Sequence, residues 1–314
     1  MKLALLKLAS SLGRTSSLSP VLFACATGCG SHQTTKAPAV KAVPKQEDTA
    51  PKRVSNRPAN LMGRVYVAEY HHIRAGRGPM FRTPKQFRAD LNLYYKMGFR
   101  PVLASEYLAN KMPLAPGASP VVMTFDDSNP SQIQLTKTGE VDPRSAVGIW
   151  MEFAKTHPDF PVHGTFFVLP GSLWGKKKQA KEKVKLLLSM GSELANHTMS
   201  HPFLNHCSDA KVKYEVATCN FRLDALGQPG PHTLAVPYGE FPRHSSILKG
   251  FTYKGKQVEF SGVFMAWGGP ARSPNDPKLN RYKIPRMMAV NEEDSIENYI
   301  KTIKKGHYKP YVQP

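Results

Sequence analysis

The sequence predicts an α/β fold built on a parallel sheet, open or closed into a barrel. Two observations carry this expectation. From residue 61 onward, short β-rich apolar runs alternate with amphipathic helical stretches, and that alternation implies a parallel sheet with helices packed on it. The chain also holds 27 prolines among 314 residues. This excludes a helical bundle or coiled coil, because an interior proline breaks a helix.

The elements follow in order. Val65 to Ile73 is a β-rich run. Thr83-Pro84-Lys85-Gln86 reads as a capping box with proline at the first helical position. Phe87, Leu91 and Tyr94 continue at helical spacing until Gly98. Val121 to Phe125 is a second strand, introduced by Pro120. Val147, Trp150 and Ala154 mark a helix that stops at His157-Pro158. Gly164 to Leu169 is a strand, and Lys176 to Met190 a helix closed by Gly191. Glu193 to Asn196 is a short strand. Val212, Val216, Cys219, Leu223 and Leu226 then share one helical face. Thr233 to Pro237, Val263 to Trp267 and Tyr282 to Pro285 are further strands, and Ser295 to Lys304 is a terminal helix. The Gly250 to Gln257 stretch is a near miss to a phosphate-binding loop. Gln257 stands where Ser or Thr would hold magnesium and no strand leads in, so it reads as a Gly-bearing turn in an insertion. A GxGxxG signature is absent.

The apolar fraction of 41% with 10% aromatic residues is that of a globular protein. No apolar run reaches the roughly 18 residues that a spanning helix needs. The formal charge of +20 points to an anionic partner or surface, and on charge alone nucleic acid is the first candidate. The cysteines are Cys25, Cys29, Cys207 and Cys219. They form no CxxC pair, which excludes a cysteine-based zinc ribbon. A helix separating Cys207 from Cys219 makes a bridge awkward, because bridged Cα atoms lie within about 7 Å. Two unpaired thiols are expected.

Residues 1–30 read as an export signal of the lipoprotein type. Lys2 and Lys7 supply a positive start, Leu18 to Ala26 an apolar stretch, and Ala26-Thr27-Gly28-Cys29 resembles a lipobox. Cys29 is then the lipidated residue and the membrane is met only through a lipid anchor. A plain secretory signal is the alternative. Residues 31–60, rich in Lys, Pro and Ala, read as a tether, which leaves 61–314 as the folded domain.

Three segments carry chemistry. Val121 to Asp127 places the adjacent carboxylates Asp126 and Asp127 at the end of an apolar strand, where α/β sites lie. Asn196-His197-Thr-Met-Ser-His201 spaces two imidazoles as on one helical turn, so that both reach one metal ion. Leu234 to Gly239 ends a strand in Pro237-Tyr238-Gly239, a turn able to aim a backbone N–H into a cleft. Each also has a plainer reading: a capping Asp pair, two solvent-facing histidines, an ordinary turn.

Taken together and in this order, the segments resemble the NodB-type polysaccharide deacetylases of carbohydrate esterase family 4. That family carries a TFDD segment, matched by Thr124 to Asp127. Its two-histidine segment is matched by His197 to His201, and its PYG segment by Ala235 to Gly239. Tyr70-His71-His72-Ile73 resembles the first strand of the extracellular members, and Gly164 to Val168 a later strand. The resemblance implies a deformed (β/α) barrel with a metal at its C-terminal mouth. It makes Asp127, His197 and His201 ligands of a divalent ion, zinc first, and Asp126 the base. The Tyr238 backbone N–H would stabilise the oxyanion. The chain departs from the pattern twice. Ala235 stands where the family has an arginine that orients the base, and the last strand carries no histidine to act as acid. Arg286, ending a strand at the same mouth, is the candidate replacement for the cation. His71 or His72 is the candidate acid. Trp267, Trp174 and Tyr238 are candidates for stacking on sugar rings, while Trp150 falls in a helical core stripe.

The expected activity is removal of N-acetyl groups from an N-acetylglucosamine polymer such as peptidoglycan, poly-N-acetylglucosamine or chitin-like oligomers. An anionic cell envelope then replaces nucleic acid as the explanation of the charge. The alternatives are an O-acetyl glycan esterase and a metal-binding, carbohydrate-binding pseudoenzyme.

Overall fold

The computed structural model describes residues 52–175, 177–289 and 295–314. The expected export signal with Cys29, and the expected tether up to residue 51, lie outside them. The last part of the expected tether belongs to the domain. The Val54 N–H donates to the Pro116 carbonyl, Arg57 Nη2 to the carbonyls of Gly98 and Gly117, and the Asn60 N–H to Val312.

Eight strands form one parallel sheet. They are β1 (Tyr66–Tyr70), β2 (Phe99–Val102), β3 (Ser119–Phe125), β4 (Thr165–Val168), β5 (Glu193–Asn196), β6 (His232–Ala235), β7 (Phe260–Phe264) and β8 (Met287–Met288). Their spatial order is β7-β6-β5-β4-β3-β1-β8, with β2 beside the first half of β3. The expected strand Tyr282–Pro285 is only a bridge of Ile284 to Phe264, and regular pairing comes two residues later. That segment links the two ends of the sheet. Ile284 exchanges backbone bonds with Val263 and Met265, while Met287 and Met288 pair with Ala68 and Glu69 of β1. The curled sheet is a deformed (β/α) barrel.

Helices α1 (Pro84–Lys96), α2 (Ala104–Ala109), α3 (Ala146–Thr156), α4 (Ala180–Ser189) and α5 (Asp209–Ala225) connect successive strands, and α6 (Ile296–Lys304) follows β8. The Thr83 capping box forms as expected, with both reciprocal bonds. Strand β2 and helix α2 were not anticipated. The Gly250 region is an antiparallel hairpin of Phe251–Tyr253 and Lys256–Val258, turning at Lys254-Gly255, both with positive φ.

Strand alternation divides the core in two. Tyr66, Ala68, Tyr70, Val121, Met123, Phe125, Phe166 and Leu194 face outward and pack with Phe87, Leu91, Tyr94, Trp150 and Phe153 of the helices. Val65, Val67, Val122, Phe167, Ala195, Ala235, Phe264 and Ile284 fill the interior. Continuing that inward phase toward the C-terminal mouth gives Glu69 and His71, Thr124 and Asp126, His197, and Arg286. The apolar filling gives way to polar side chains at one end only, and the site lies there.

Candidate active site

A cavity of about 550 Å³ opens at this mouth. Its lining includes Glu69, His71, Asp126, Asp127, His197, His201, Tyr238, Trp267 and Arg286. The residues come from β1 and the residue after it, the turns after β3, β5, β6 and β7, and the closing segment.

Asp127, with φ 70°, swings its carboxylate toward the two histidines. Its Oδ1 lies 3.3 Å from His197 Nε2 and 3.2 Å from His201 Nε2. The histidines do not sit on a helical turn. Strand β5 ends at Asn196, and Thr198 and His201 both have left-handed backbone, which costs on the order of 1–3 kcal/mol each. The buried Glu215 carboxylate of α5 holds this turn, accepting from the N–H groups of Met199 and Ser200 and from the Ser200 hydroxyl. His197 Nδ1 is bonded to the Ala235 carbonyl at 2.8 Å, which presents Nε2 to the cavity. A backbone group therefore acts at the position where an arginine side chain was missed.

Asp127 Oδ1 and His197 Nε2 are buried without a hydrogen-bond partner. One carboxylate and two imidazoles converging with such orphaned atoms suit a divalent ion of the zinc type, and Asp127, His197 and His201 are grouped closely enough to hold one.

Asp126 is turned to the other side and almost fully buried. Arg286 grips it as a fork: Nη1 donates to Oδ1 at 2.8 Å and Nη2 to Oδ2 at 2.7 Å. Nη1 also reaches Thr124 Oγ1 at 3.1 Å, and Nε donates to the Met265 carbonyl at 2.6 Å. Burial would raise the Asp126 carboxyl, but the charge of Arg286, then that of His197, outweighs it and holds the group below its ordinary value. The same carboxylates outweigh burial at His197 and raise its imidazole. For Asp127, the closeness of the His197 and His201 imidazoles overcomes burial and holds the carboxyl far below the usual range.

His71 faces the cavity, with Nε2 3.6 Å from Glu69 Oε1 and 4.0 Å from Asp127 Oδ2. Burial pushes its imidazole down to about 4, against the pull of Asp126 and Asp127. His72 does not face the cavity. Adjacent residues of an extended chain point to opposite sides, and its ring stacks on Phe81 with centroids 4.5 Å apart. The turn after β3 is tied to the end of β1. The Gln132 amide donates to the carbonyls of His71 and Asp126, and the Ile73 N–H donates to Ser131 Oγ. Trp174 donates its indole N–H to Gln132 Oε1 and is buried, so it offers no face to a sugar. Trp150 is a core residue. Cys207 and Cys219 are unpaired.

Tyr238, with φ 57°, and Trp267 are each about half exposed at the rim, at 45% and 48%. The Tyr238 ring meets His201 edge-on at 4.5 Å and stacks on Phe203 at 3.8 Å. Two cavity features escaped the sequence reading: Phe203 as support for Tyr238, and Glu69. For Glu69 a signal existed, since it is the one acidic side chain in the inward phase Val65, Val67, Glu69, His71.

A curled parallel barrel of this kind is the fold of the NodB-type deacetylases, and its mouth holds the Asp-Asp and two-histidine segments on which the sequence resemblance rests. Residues 115–255 match the polysaccharide deacetylase family. The chain carries a polysaccharide deacetylase domain over these residues, 141 of its 314. It is 37% identical to the chitooligosaccharide deacetylase of Bradyrhizobium sp. (strain ANU 289) over 79 residues, 25% of this chain and 34% of the relative. It is 23% identical to YxkH of Bacillus subtilis (strain 168), a protein of the polysaccharide deacetylase type, over 251 residues, 78% of this chain and 79% of that one. The chain thus spans about a third of the first relative's length, 34%, and most of the second's. Among solved structures, the Streptococcus pyogenes deacetylase PplD in complex with acetate superposes with a TM-score of 0.55 at 18% identity, covering 77% of this chain and 98% of that chain.

Proposed function

We propose that this protein is a metal-dependent hydrolase that removes N-acetyl groups from an N-acetylglucosamine-containing polysaccharide. The observation that carries this reading is the division of labour between two adjacent carboxylates. Asp127 converges with His197 and His201, while Asp126 is held apart by the Arg286 fork. A divalent ion held by Asp127, His197 and His201 supplies Lewis acidity toward water and the acetyl carbonyl. Asp126, ionised and fixed in place, accepts the proton of the attacking water. The Tyr238 backbone N–H donates to the oxyanion as it develops. The C–N bond then breaks as the proton taken up by Asp126 passes on to the departing amine, with the neutral His71, facing the same cavity, accepting it at one ring nitrogen and releasing one from the other. The products are acetate and a free amine. Trp267 and Tyr238 flank the sugar at the rim.

The formal charge of +20 and the features of residues 1–30 support an exported protein working at an anionic cell envelope, tethered through Cys29 or freely secreted. The test is turnover of a partially N-acetylated glucosamine polymer with added zinc. Acetate released together with an equal amount of new amine is expected. Acetate without amine from an O-acetylated glycan would make the protein an esterase. A zinc-loaded protein inert on both would overturn the reading.

A further inference from the structure

We infer that Glu69 is a positioning residue of this reaction, holding Arg286 from the edge that Asp126 leaves open and facing the ring of His71. The inference rests on the deacetylase reading above. Glu69 occupies the third inward position of the first strand, after the apolar Val65 and Val67, and is 3% exposed. A carboxylate is kept in such a place only where partners meet it.

Its Oε2 lies 3.1 Å from Arg286 Nε, and its Oε1 3.6 Å from His71 Nε2. Asp126 engages the two Nη atoms. That fork alone lets the guanidinium rock about the line joining its two bonds. The Nε edge supplies the third point: its N–H donates to the Met265 carbonyl at 2.6 Å, and the Glu69 carboxylate stands beside it as an ion-pair partner at 3.1 Å. The Arg286 Cζ lies over the Phe167 ring, 5.4 Å from its centroid, an attraction that does not fix the direction of the fork.

Charge points the same way. Glu69, Asp126 and Asp127 all line the cavity, and among the described lining residues Arg286 is the one permanent cation. Glu69 is the second buried carboxylate that this cation meets, beside Asp126. The same carboxylate stands beside His71, so one side chain supports both the residue that aligns the base and the residue assigned the final proton transfer.

The test uses the full chain with zinc and an N-acetylglucosamine oligomer. Glu69→Gln keeps the shape and removes the charge. It should retain stoichiometric zinc and lower kcat about 10–100-fold, the usual cost of losing such an outer partner. KM should move less than about threefold, because a lost transition-state interaction falls on kcat. In the Arg286→Ala background the same change should cost less than about threefold, since partners in one network are non-additive. Glu69→Asp, which keeps the charge, should recover part of kcat. Parent-level kcat in a zinc-loaded Glu69→Gln protein, or fully additive losses in the double variant, would overturn the inference. Should Glu69→Gln fail to fold, Glu69→Asp decides: a lowered kcat at unchanged KM supports the role, and parent kcat overturns it. If the parent is inert on N- and O-acetylated glycans alike, the deacetylase reading fails first and this inference with it.

Discussion

Removing the guanidinium of Arg286 exposes the logic of the site. Arg286→Ala leaves the Asp126 and Glu69 carboxylates facing each other in a buried mouth, stripped of the fork at 2.8 and 2.7 Å and the contact at 3.1 Å. Breaking a buried pair from one side costs about 3–5 kcal/mol. At about 2–4 °C per kcal/mol for a domain of this size, Tm should fall by roughly 6–20 °C. The pH dependence has a definite sign. Arg286 holds the Asp126 carboxyl below its ordinary value against burial. The pair therefore stabilises the fold above the ordinary carboxylate range, and that contribution is lost as pH falls through the depressed value. Without Arg286, burial is opposed only by the neighbouring imidazoles of His197 and His71, the carboxyl rises, and the acid limb of the turnover profile moves to higher pH. A base that is displaced and partly protonated should lose about 10²–10⁴-fold in turnover, while zinc bound by Asp127, His197 and His201 stays. Arg286→Lys should recover little, because a single ammonium cannot reproduce the fork. The assay is acetate release from N-acetylglucosamine oligomers across pH, with zinc content and melting recorded on the same samples. Turnover within about threefold of the parent, on an unshifted profile, would refute the reasoning.

Asp126→Asn should keep zinc, as measured by elemental analysis, and lose at least about 10²-fold in deacetylation, because a carboxamide cannot accept the proton. His201→Ala should lose zinc at concentrations that saturate the parent, and an equally loaded variant would remove His201 from the ligand set. His71→Ala should slow release of the amine by about 10²-fold or more, whereas His72→Ala, its ring on Phe81 outside the cavity, should turn over near the parent rate.

Much of the barrel was legible because its signals are local. The Thr83 capping box, the stripe through Trp150 and the apolar run into Asp126 are each contained in a few neighbouring residues. Strand β2 was hidden by its own composition, Phe99-Arg-Pro-Val102. Proline argues against a strand in the middle of a sheet, yet it is accepted here because this strand pairs on one side only, with β3. Helix α2 starts at Leu103, which offers no side-chain cap. In the site, the residue types and their order pointed to Asp126, Asp127, His197, His201 and Arg286, and the structure brings all five together. The conformation of the two-histidine segment was not legible. Its spacing imitates a helical turn, while the real turn is held by Glu215 from a helix that comes later in the chain. The choice between His71 and His72 was present in the sequence as the phase Val65, Val67, Glu69, His71, and it needed only the direction of one strand face.

The segment that completes the ring also delivers Arg286. Asp126 and its cation are 160 positions apart in the chain, whereas Asp126 and Asp127 are neighbours. During synthesis, both carboxylates and both histidines are in place well before the closing segment has been made. Because domains form as units and long-range contacts come late, the contact that aligns the base can form only once the closing segment has been made. Competence for chemistry arrives only when the barrel shuts. Closure of the fold and arming of the base are then a single event, timed by the last strand.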